Sequence, residues 1–204
     1  MLDRAANAAL QPLLGAGARA LARAGIGADA VTVVGFAIGL GAAASIAWQA
    51  YVLGLALMLA SRLADGLDGP LARLTAATDR GAYLDITLDF LFYASIPLAF
   101  AFADPAANAL PAAVLLASFI GTGSSFLAFA VFAERRGMAT NAYAGKGLYY
   151  LGGLTEATET LACFALMCLW PQHFAGWAYG FAALCALTIA TRIVGGARLL
   201  SKPR

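Results

Sequence analysis

The segment RLADGLDGPLARLTAATDRGAYLDITLD, residues 62–89, carries the strongest structural signal in this chain. It contains four carboxylates, at the end of one apolar run and the start of the next: Asp65, Asp68, Asp85 and Asp89. At about 100° per residue, Asp65 and Asp68 share one helical face, and Asp85 and Asp89 share a face of the next helix. A short polar loop joins the two helices. They are therefore antiparallel neighbours whose acidic faces can meet.

These carboxylates predict a metal site, because acids beside apolar runs are costly and by default indicate function. Four of them in one place need cations between them. Hard oxygen ligands select Mg²⁺, Mn²⁺ or Ca²⁺, and two such ions can clamp a diphosphate. Arg73 offers a planar donor fork to phosphate. In the competing interpretation, the acids only pair with Arg62, Arg73 and Arg80.

Pro70 interrupts the first of the two predicted helices. Proline lacks an amide donor and clashes with the carbonyl four residues earlier, here that of Gly66. We therefore predict a kink or a break at Gly66–Pro70.

The composition predicts an all-α membrane protein. Of the 204 residues, 62% are hydrophobic and 12% are charged, whereas a soluble domain carries about 25% charged residues. The net charge of +2 does not suggest nucleic-acid binding. We predict a single domain over 1–204, in which residues 1–25 form an amphipathic helix at the membrane interface. Six transmembrane helices follow, each near the ~20 residues that cross a bilayer, at about 30–49, 51–73, 83–103, 110–133, 148–170 and 175–198.

The basic residues predict the orientation of these spans. With six spans, all 13 Lys and Arg residues fall on, or nearest to, one side of the membrane. The positive-inside rule then places both termini, the 74–82 and 134–147 loops and the acidic cluster on the cytoplasmic side.

The same segment resembles the signature of the CDP-alcohol phosphotransferases, D-x2-D-G-x2-A-R-x8-G-x3-D-x3-D. The eight matching positions are Asp65, Asp68, Gly69, Ala72, Arg73, Gly81, Asp85 and Asp89. One departure lies in the interhelical loop, where seven residues instead of eight separate Arg73 from Gly81. The length, the six-span topology and the position of the motif extend the resemblance over the whole chain, to a short bacterial branch of the family.

The resemblance implies an enzyme of the bacterial inner membrane that moves a phosphatidyl group from CDP-diacylglycerol to a small alcohol and releases CMP. It also implies two Mg²⁺ or Mn²⁺ ions, surrounding membrane lipids and a homodimer. By position, Asp65, Asp68 and Asp85 would bind metal, and Asp89 would bind the second ion and act as the general base. The residues implied to contact CDP are Gly69, Arg73, Gly81 and Thr32. For Thr32, a bond back to its own helix backbone is an equal alternative.

Two sets of residues compete to bind the acceptor alcohol. The basic set is Lys146, Arg192, Arg135 and Arg136, and it favours glycerol 3-phosphate. The acidic and aromatic set is Glu156, Glu159, Tyr149 and Tyr150, and it favours an amino alcohol. Arg192 lies in an apolar run, where a cation needs an anionic partner, so we rank glycerol 3-phosphate first.

Two other functions fit this carboxylate cluster in a membrane protein less well. An intramembrane prenyltransferase would carry paired D-x3-D motifs in separate halves, and only Asp85 and Asp89 form such a pair. A small transporter with a carboxylate cation site would distribute charges through several helices. Gly121 and Gly123 support either a dimer contact or internal helix packing.

Overall fold

The computed structural model describes residues 2–138 and 154–201. Within these ranges the chain is helical and contains no strand, so the predicted all-α class is confirmed. The helices are α1 (Leu2–Arg23), α2 (Ala28–Ala47), α3 (Tyr51–Leu74), α4 (Asp79–Ala103), α5 (Pro105–Arg135), α6 (Ala157–Leu169) and α7 (Phe174–Leu200), with a 3-10 turn at Pro171–His173 between the last two.

Four of the six predicted membrane spans have counterparts among the described residues. Among the described residues, four helical segments are long and apolar enough to cross a bilayer: α2, α4, α5 and the segment Pro171–Leu200. Helix α3 has 24 residues, but the acids and arginines of its second half make it too polar to qualify. Helix α6 has 13 described residues, and the predicted start of its span at 148 lies outside the described part. The count of six spans therefore stays a prediction.

The helices pack in two groups, one around α2 and one around α5. Helix α2 packs on both α3 and α4, while α5 packs on α4 and α7. Helix α1 lies along α3, with Leu14 and Ala18 buried. This confirms a helix within the predicted segment 1–25, and its interfacial position stays a prediction. The start of α2, the end of α3 and the start of α4 meet at one end of the molecule, which we call the charged end.

The opposite end is filled with aromatic side chains. The rings of Phe100 and Phe174 stack with centroids 4.6 Å apart, and Tyr51 stacks on Phe100 at 5.7 Å. Phe100 and Phe174 are buried. Such stacked pairs add to the free energy of burying apolar surface. This end of the bundle is therefore held together mainly by aromatic packing.

The glycines of α5 pack inside the chain. A Cβ atom on Gly121 would lie 2.5 Å from Cδ1 of Ile189 on α7, and one on Gly123 would lie 2.4 Å from Phe90 on α4. Real Cβ atoms do not approach other atoms so closely, so both glycines permit internal helix contacts. They give no support to a dimer contact, and the homodimer stays a prediction.

Pro70 does not break α3, so of the kink or break predicted at Gly66–Pro70 the break is wrong, and the kink stays a prediction. The helix continues to Leu74, and the N–H of Thr75 donates to the carbonyl of Leu71 at 3.0 Å beyond it. Proline removes one backbone hydrogen bond. Here Gly66 packs against Leu14 of α1, where an added Cβ would lie 3.3 Å away. Tertiary packing of this kind holds the helix together past the missing bond.

Candidate metal centre

Three carboxylates converge at the charged end. One carboxylate oxygen from each of Asp65, Asp68 and Asp85 lies within 4.8 Å of the others. Asp68 is buried, while Asp65 and Asp85 are half-buried. Asp65 and Asp68 are at positions i and i+3 of α3, so they project from one face of it. That face is turned toward α4, which supplies Asp85. The prediction that the acidic faces of α3 and α4 meet is confirmed for these three.

The donor set fits a divalent cation. Three carboxylate oxygens at this separation can turn toward one hard ion, and Mg²⁺, Mn²⁺ and Ca²⁺ all prefer such oxygens. Three partly buried negative charges so close together repel one another strongly without a cation between them. The site can therefore hold a metal and place its charge beside a bound phosphate.

The fourth predicted ligand, Asp89, is held by an arginine. Nη1 of Arg62 donates to Oδ1 of Asp89 at 2.5 Å and lies 3.5 Å from Oδ2 of Asp65. The carboxylates are thus arranged as a group of three with Asp89 linked to it through Arg62. This ion pair combines the two sequence interpretations, because three acids form a candidate metal site and Arg62 pairs with Asp65 and Asp89 beside it.

Thr32 of α2 orients Asp68, one of the three converging carboxylates. Its hydroxyl donates to Oδ2 of Asp68 at 2.7 Å, and the carbonyl oxygen of Ala28 lies 3.1 Å from Oγ1 of Thr32. Both Thr32 and Asp68 are buried. The second distance fits the backbone bond that the sequence suggested. The first was not foreseen, because it joins helices whose relative rotation the sequence does not give.

The glycines that were predicted to contact CDP differ in their surroundings. Among the described residues, a Cβ on Gly69 would meet only Nη1 of Arg73, in ordinary contact at 3.6 Å, so within this part of the chain its α3 face is open beneath the arginine. At Gly81, a Cβ would lie 3.0 Å from Oδ1 of Asp29. The N–H of Gly81 donates to Oγ1 of Thr78, which caps α4, at 3.0 Å. Gly81 thus allows the first turns of α2 and α4 to approach each other.

The predicted acceptor residues that the structure describes lie on or next to α5, α6 and α7. Arg192 of α7 is buried, and its Nη1 donates to the carbonyl of Thr122 on α5 at 3.1 Å. Its guanidinium carbon lies 5.8 Å from the ring centroid of Phe126. Arg135 is exposed in the last turn of α5. Lys146, Tyr149 and Tyr150 lie outside the described residues.

The two glutamates of the acidic set begin a helix. Glu156 is the N-cap of α6, and its backbone N–H donates to Oε2 of Glu159 at 3.2 Å. Together they form a capping box, in which each side chain accepts from the backbone of the other. Their spacing of three residues before an apolar run was the signal for this role.

Comparisons with known proteins agree with the geometry. A family model described as CDP-alcohol phosphatidyltransferase matches residues 26–193. The inner membrane protein YnjF of Escherichia coli (strain K12) is 50% identical over 196 residues, which cover 96% of this chain and 95% of that protein.

Two crystal structures of Mycobacterium tuberculosis phosphatidylinositol phosphate synthase (PgsA1) share the fold. The structure with CDP-DAG bound has a TM-score of 0.72 at 20% identity, and the match covers 91% of this chain and 94% of that one. The complex with manganese and citrate has a TM-score of 0.69 at 21% identity, covering 90% and 88% respectively.

Proposed function

This chain belongs to the CDP-alcohol phosphatidyltransferase family, and from that premise we propose that it transfers a phosphatidyl group from CDP-diacylglycerol to a small phosphorylated alcohol. The observation that carries the proposal is the convergence of Asp65, Asp68 and Asp85 within 4.8 Å. These acids stand at three of the eight positions of the family signature, and a fourth, Asp89, is linked to them through Arg62.

The carboxylates have two roles in this proposal. Asp65, Asp68 and Asp85 would hold the first divalent ion, and Asp89 would contribute to a second. Bound Mg²⁺ or Mn²⁺ supplies positive charge that neutralises the diphosphate as electrons move to the leaving group. The manganese complex of the M. tuberculosis synthase supports a site of this kind in the fold.

The proposed reaction is an in-line displacement at the phosphorus that carries the diacylglycerol. The acceptor hydroxyl gives its proton to a carboxylate oxygen of Asp89, and its oxygen forms the new P–O bond. The P–O bond to the bridging oxygen breaks, and CMP leaves with that oxygen and the bonding electron pair. Catalysis by this chain then consists mainly of positioning and electrostatic stabilisation.

The nucleotide end of the donor would lie on the small residues at the charged end. Gly69 offers an open α3 surface, and the guanidinium of Arg73 lies 3.6 Å from the position of a Cβ there. An arginine beside exposed backbone suits a diphosphate, because its donors are planar and permanently charged. Gly81 completes this surface from the first turn of α4. Thr32 acts through Asp68 and does not need to touch CDP.

Glycerol 3-phosphate is the acceptor that we favour. Arg192 is a buried cation on α7, eight residues before that helix ends. Arg135 adds a second, exposed cation in the last turn of α5. The name of the M. tuberculosis synthase also describes a phosphorylated product. The glutamates that would select an amino alcohol are engaged in the capping box of α6. That engagement ranks serine, ethanolamine and choline below phosphorylated alcohols.

The proposed reaction takes place on the cytoplasmic side of a bacterial inner membrane. The relative YnjF is described as an inner membrane protein. The end of α5 is basic, with Nη2 of Arg136 donating to the carbonyl of Leu200 at 2.5 Å, so the ends of α5 and α7 meet on one side. The positive-inside rule then gives that side to the cytoplasm.

CMP release from CDP-diacylglycerol tests this function. Purified protein in detergent is assayed with Mn²⁺ or Mg²⁺ and a panel of glycerol 3-phosphate, inositol phosphate, serine and choline. We expect metal-dependent CMP release that a phosphorylated alcohol stimulates and EDTA abolishes. Release that ignores every acceptor and every metal would contradict the proposal.

A further inference from the structure

Arg62 bridges the fourth carboxylate to the metal-binding group. It lies one turn before Asp65 on α3, and its side chain is only 10% exposed. Its Nη1 contacts Oδ1 of Asp89 at 2.5 Å and Oδ2 of Asp65 at 3.5 Å. A charge-assisted bond of this length is a strong interaction. Oδ1 of Asp89 is therefore already occupied by a cation that the chain itself supplies.

The side chain of Arg62 lies in a buried position formed by Phe92 of α4, which in turn packs against α2. Its guanidinium carbon is 3.8 Å from the ring centroid of Phe92 on α4, a cation–π contact. Phe92 is fully buried and reaches α2 at Gly39, where an added Cβ would lie 2.6 Å from the ring. Nη2 also donates to Oγ of Ser61 at 3.3 Å. This packing holds Arg62 inside the bundle instead of letting it extend to solvent.

One hydrogen-bond donor of Arg62 is not satisfied in this buried position. Among the described residues, its buried Nε has no hydrogen-bond partner. An unsatisfied buried donor costs free energy, so it lowers the cost of moving the guanidinium to another position. Arg62 is thus held mainly by its contacts with Asp89, Asp65 and the ring of Phe92.

We propose that Arg62 is a positioning residue that competes with the second divalent ion for Asp89. The inference rests on the two-ion site of the proposed function. The first ion binds at Asp65, Asp68 and Asp85, and the second binds only when the guanidinium leaves Asp89. A divalent ion on Asp89 and the guanidinium beside it repel each other, because both are positively charged, so each disfavours binding of the other.

The charge balance makes the second ion depend on the substrate. Two divalent ions and Arg62 together carry five positive charges against the four carboxylates at Asp65, Asp68, Asp85 and Asp89. An anionic diphosphate removes that excess when it binds. The second ion therefore enters with the nucleotide, and the protein without substrate holds one ion.

Mn²⁺ titration of the full chain in detergent, without lipid, tests this competition. Calorimetry and the electron paramagnetic resonance spectrum of Mn²⁺ give the number of ions and reveal coupled pairs. We expect wild-type protein to bind one ion per chain. Arg62→Met, which still packs on Phe92, and Arg62→Gln, which still donates to Asp89, should each bind a second ion at least about tenfold more tightly, because each removes a nearby positive charge.

Arg80→Met is the matched control, since it removes the same charge from an exposed ion pair with Asp29 at the charged end. It should change Mn²⁺ affinity less than about twofold. If both folded Arg62 variants bind Mn²⁺ as the wild type does, or more weakly, Arg62 does not compete and the inference is overturned. If wild-type protein binds no Mn²⁺, the inference and the proposed function both fail. CMP release by wild type alongside unchanged Arg62 variants would overturn the inference alone.

Discussion

The hydroxyl of Thr32 donates a 2.7 Å hydrogen bond to Oδ2 of Asp68, which joins the first turn of α2 to the metal-binding end of α3. Both side chains are buried. Partners of this kind fix the orientation of a metal-binding carboxylate, and their loss commonly lowers metal affinity 10–100-fold. From this bond we infer that Thr32, a predicted nucleotide contact, acts on the candidate metal site through Asp68.

We expect Thr32→Val to weaken Mn²⁺ binding by about 10-fold or more, because valine keeps the shape and removes the donor. Thr32→Ser keeps the hydroxyl and should retain affinity within a few-fold. Calorimetric titration of the substrate-free protein measures both. If Thr32→Val instead raised the KM for CDP-diacylglycerol at unchanged Mn²⁺ affinity, the role would be nucleotide contact, as the sequence suggested.

Asp89→Asn should reduce turnover by about 10²–10⁴, the usual loss for an acid–base residue. The substitution leaves the three-carboxylate group at Asp65, Asp68 and Asp85 in place, so binding of CDP-diacylglycerol should largely survive. CMP release measures turnover, and equilibrium binding of the labelled donor measures the second effect. Asp79→Asn is the control, since Asp79 is an exposed acid in the first turn of the same helix. Near-normal CMP release by Asp89→Asn would show that another group takes the proton.

Asp68→Ala should act differently from Asp89→Asn. It removes a buried ligand of the three-carboxylate group and leaves the hydroxyl of Thr32 without its acceptor on α3. We expect Mn²⁺ binding to fall below detection and CMP release to fall with it, with partial recovery at high Mn²⁺. Metal titration followed by CMP release at several Mn²⁺ concentrations separates this pattern from loss of a base, which added Mn²⁺ does not restore.

Cysteine labelling tests the sidedness of the charged end. Ala109, at the opposite end, and Ala76, in the loop after α3, are both exposed. Asn108 is a poor site, because it is buried and its amide donates to the carbonyl of Phe100 at 3.1 Å. In intact cells, Ala109→Cys should react with an impermeant maleimide, and Ala76→Cys should react only after permeabilisation.

The wild-type chain is the control for labelling, since its three cysteines are buried: Cys163, Cys168 and Cys185. The opposite pattern would place the carboxylates in the periplasm and away from cytosolic CTP-derived donors. Labelling of both variants in intact cells would contradict the span assignment between them.

Local periodicity was enough to predict which acids share a face at the end of α3 and the start of α4, although α4 begins at Asp79 and not at the predicted 83. The intervals between Asp65 and Asp68, and between Asp85 and the motif glycine Gly81, fix which side chains share a face. The Thr32–Asp68 bond was not predictable in this way, because it depends on the rotation of α2 against α3. That rotation is set by a close approach at Gly35, where an added Cβ would lie 3.0 Å from the Cβ of Ala64.

The separation of Asp89 from the other acids also depends on tertiary packing. The sequence offered a metal site and ion pairs as alternatives, and the structure combines them at Arg62. The buried position of Arg62 requires the ring of Phe92 from another helix, and the spacing of residues within one helix cannot indicate such a contact. The break at Pro70 failed for a similar reason, since propensity was outweighed by packing against α1.

The acceptor prediction depends on Arg192. This arginine is buried and its Nη1 donates to the carbonyl of Thr122, so α5 holds one side of the guanidinium. A buried cation near the charged end suits an acceptor phosphate better than it suits an amine. Arg192→Ala should therefore raise the KM for glycerol 3-phosphate by about 10-fold or more, while the KM for CDP-diacylglycerol changes little, since charged hydrogen bonds contribute roughly 1.5–3 kcal/mol.

Arg198→Ala is the matched control for this last test, because Arg198 is exposed nearly two turns later on the same helix. It should leave both KM values unchanged, while a thermal melt shows whether Arg192→Ala has only loosened α5 from α7. Equal rises in both KM values would assign Arg192 to packing. CMP release that serine or choline stimulates and glycerol 3-phosphate does not would reverse the acceptor ranking. Glu159→Gln would then become the decisive variant. Glutamine can still accept the hydrogen bond of the capping box, but it lacks the negative charge that an ammonium acceptor needs.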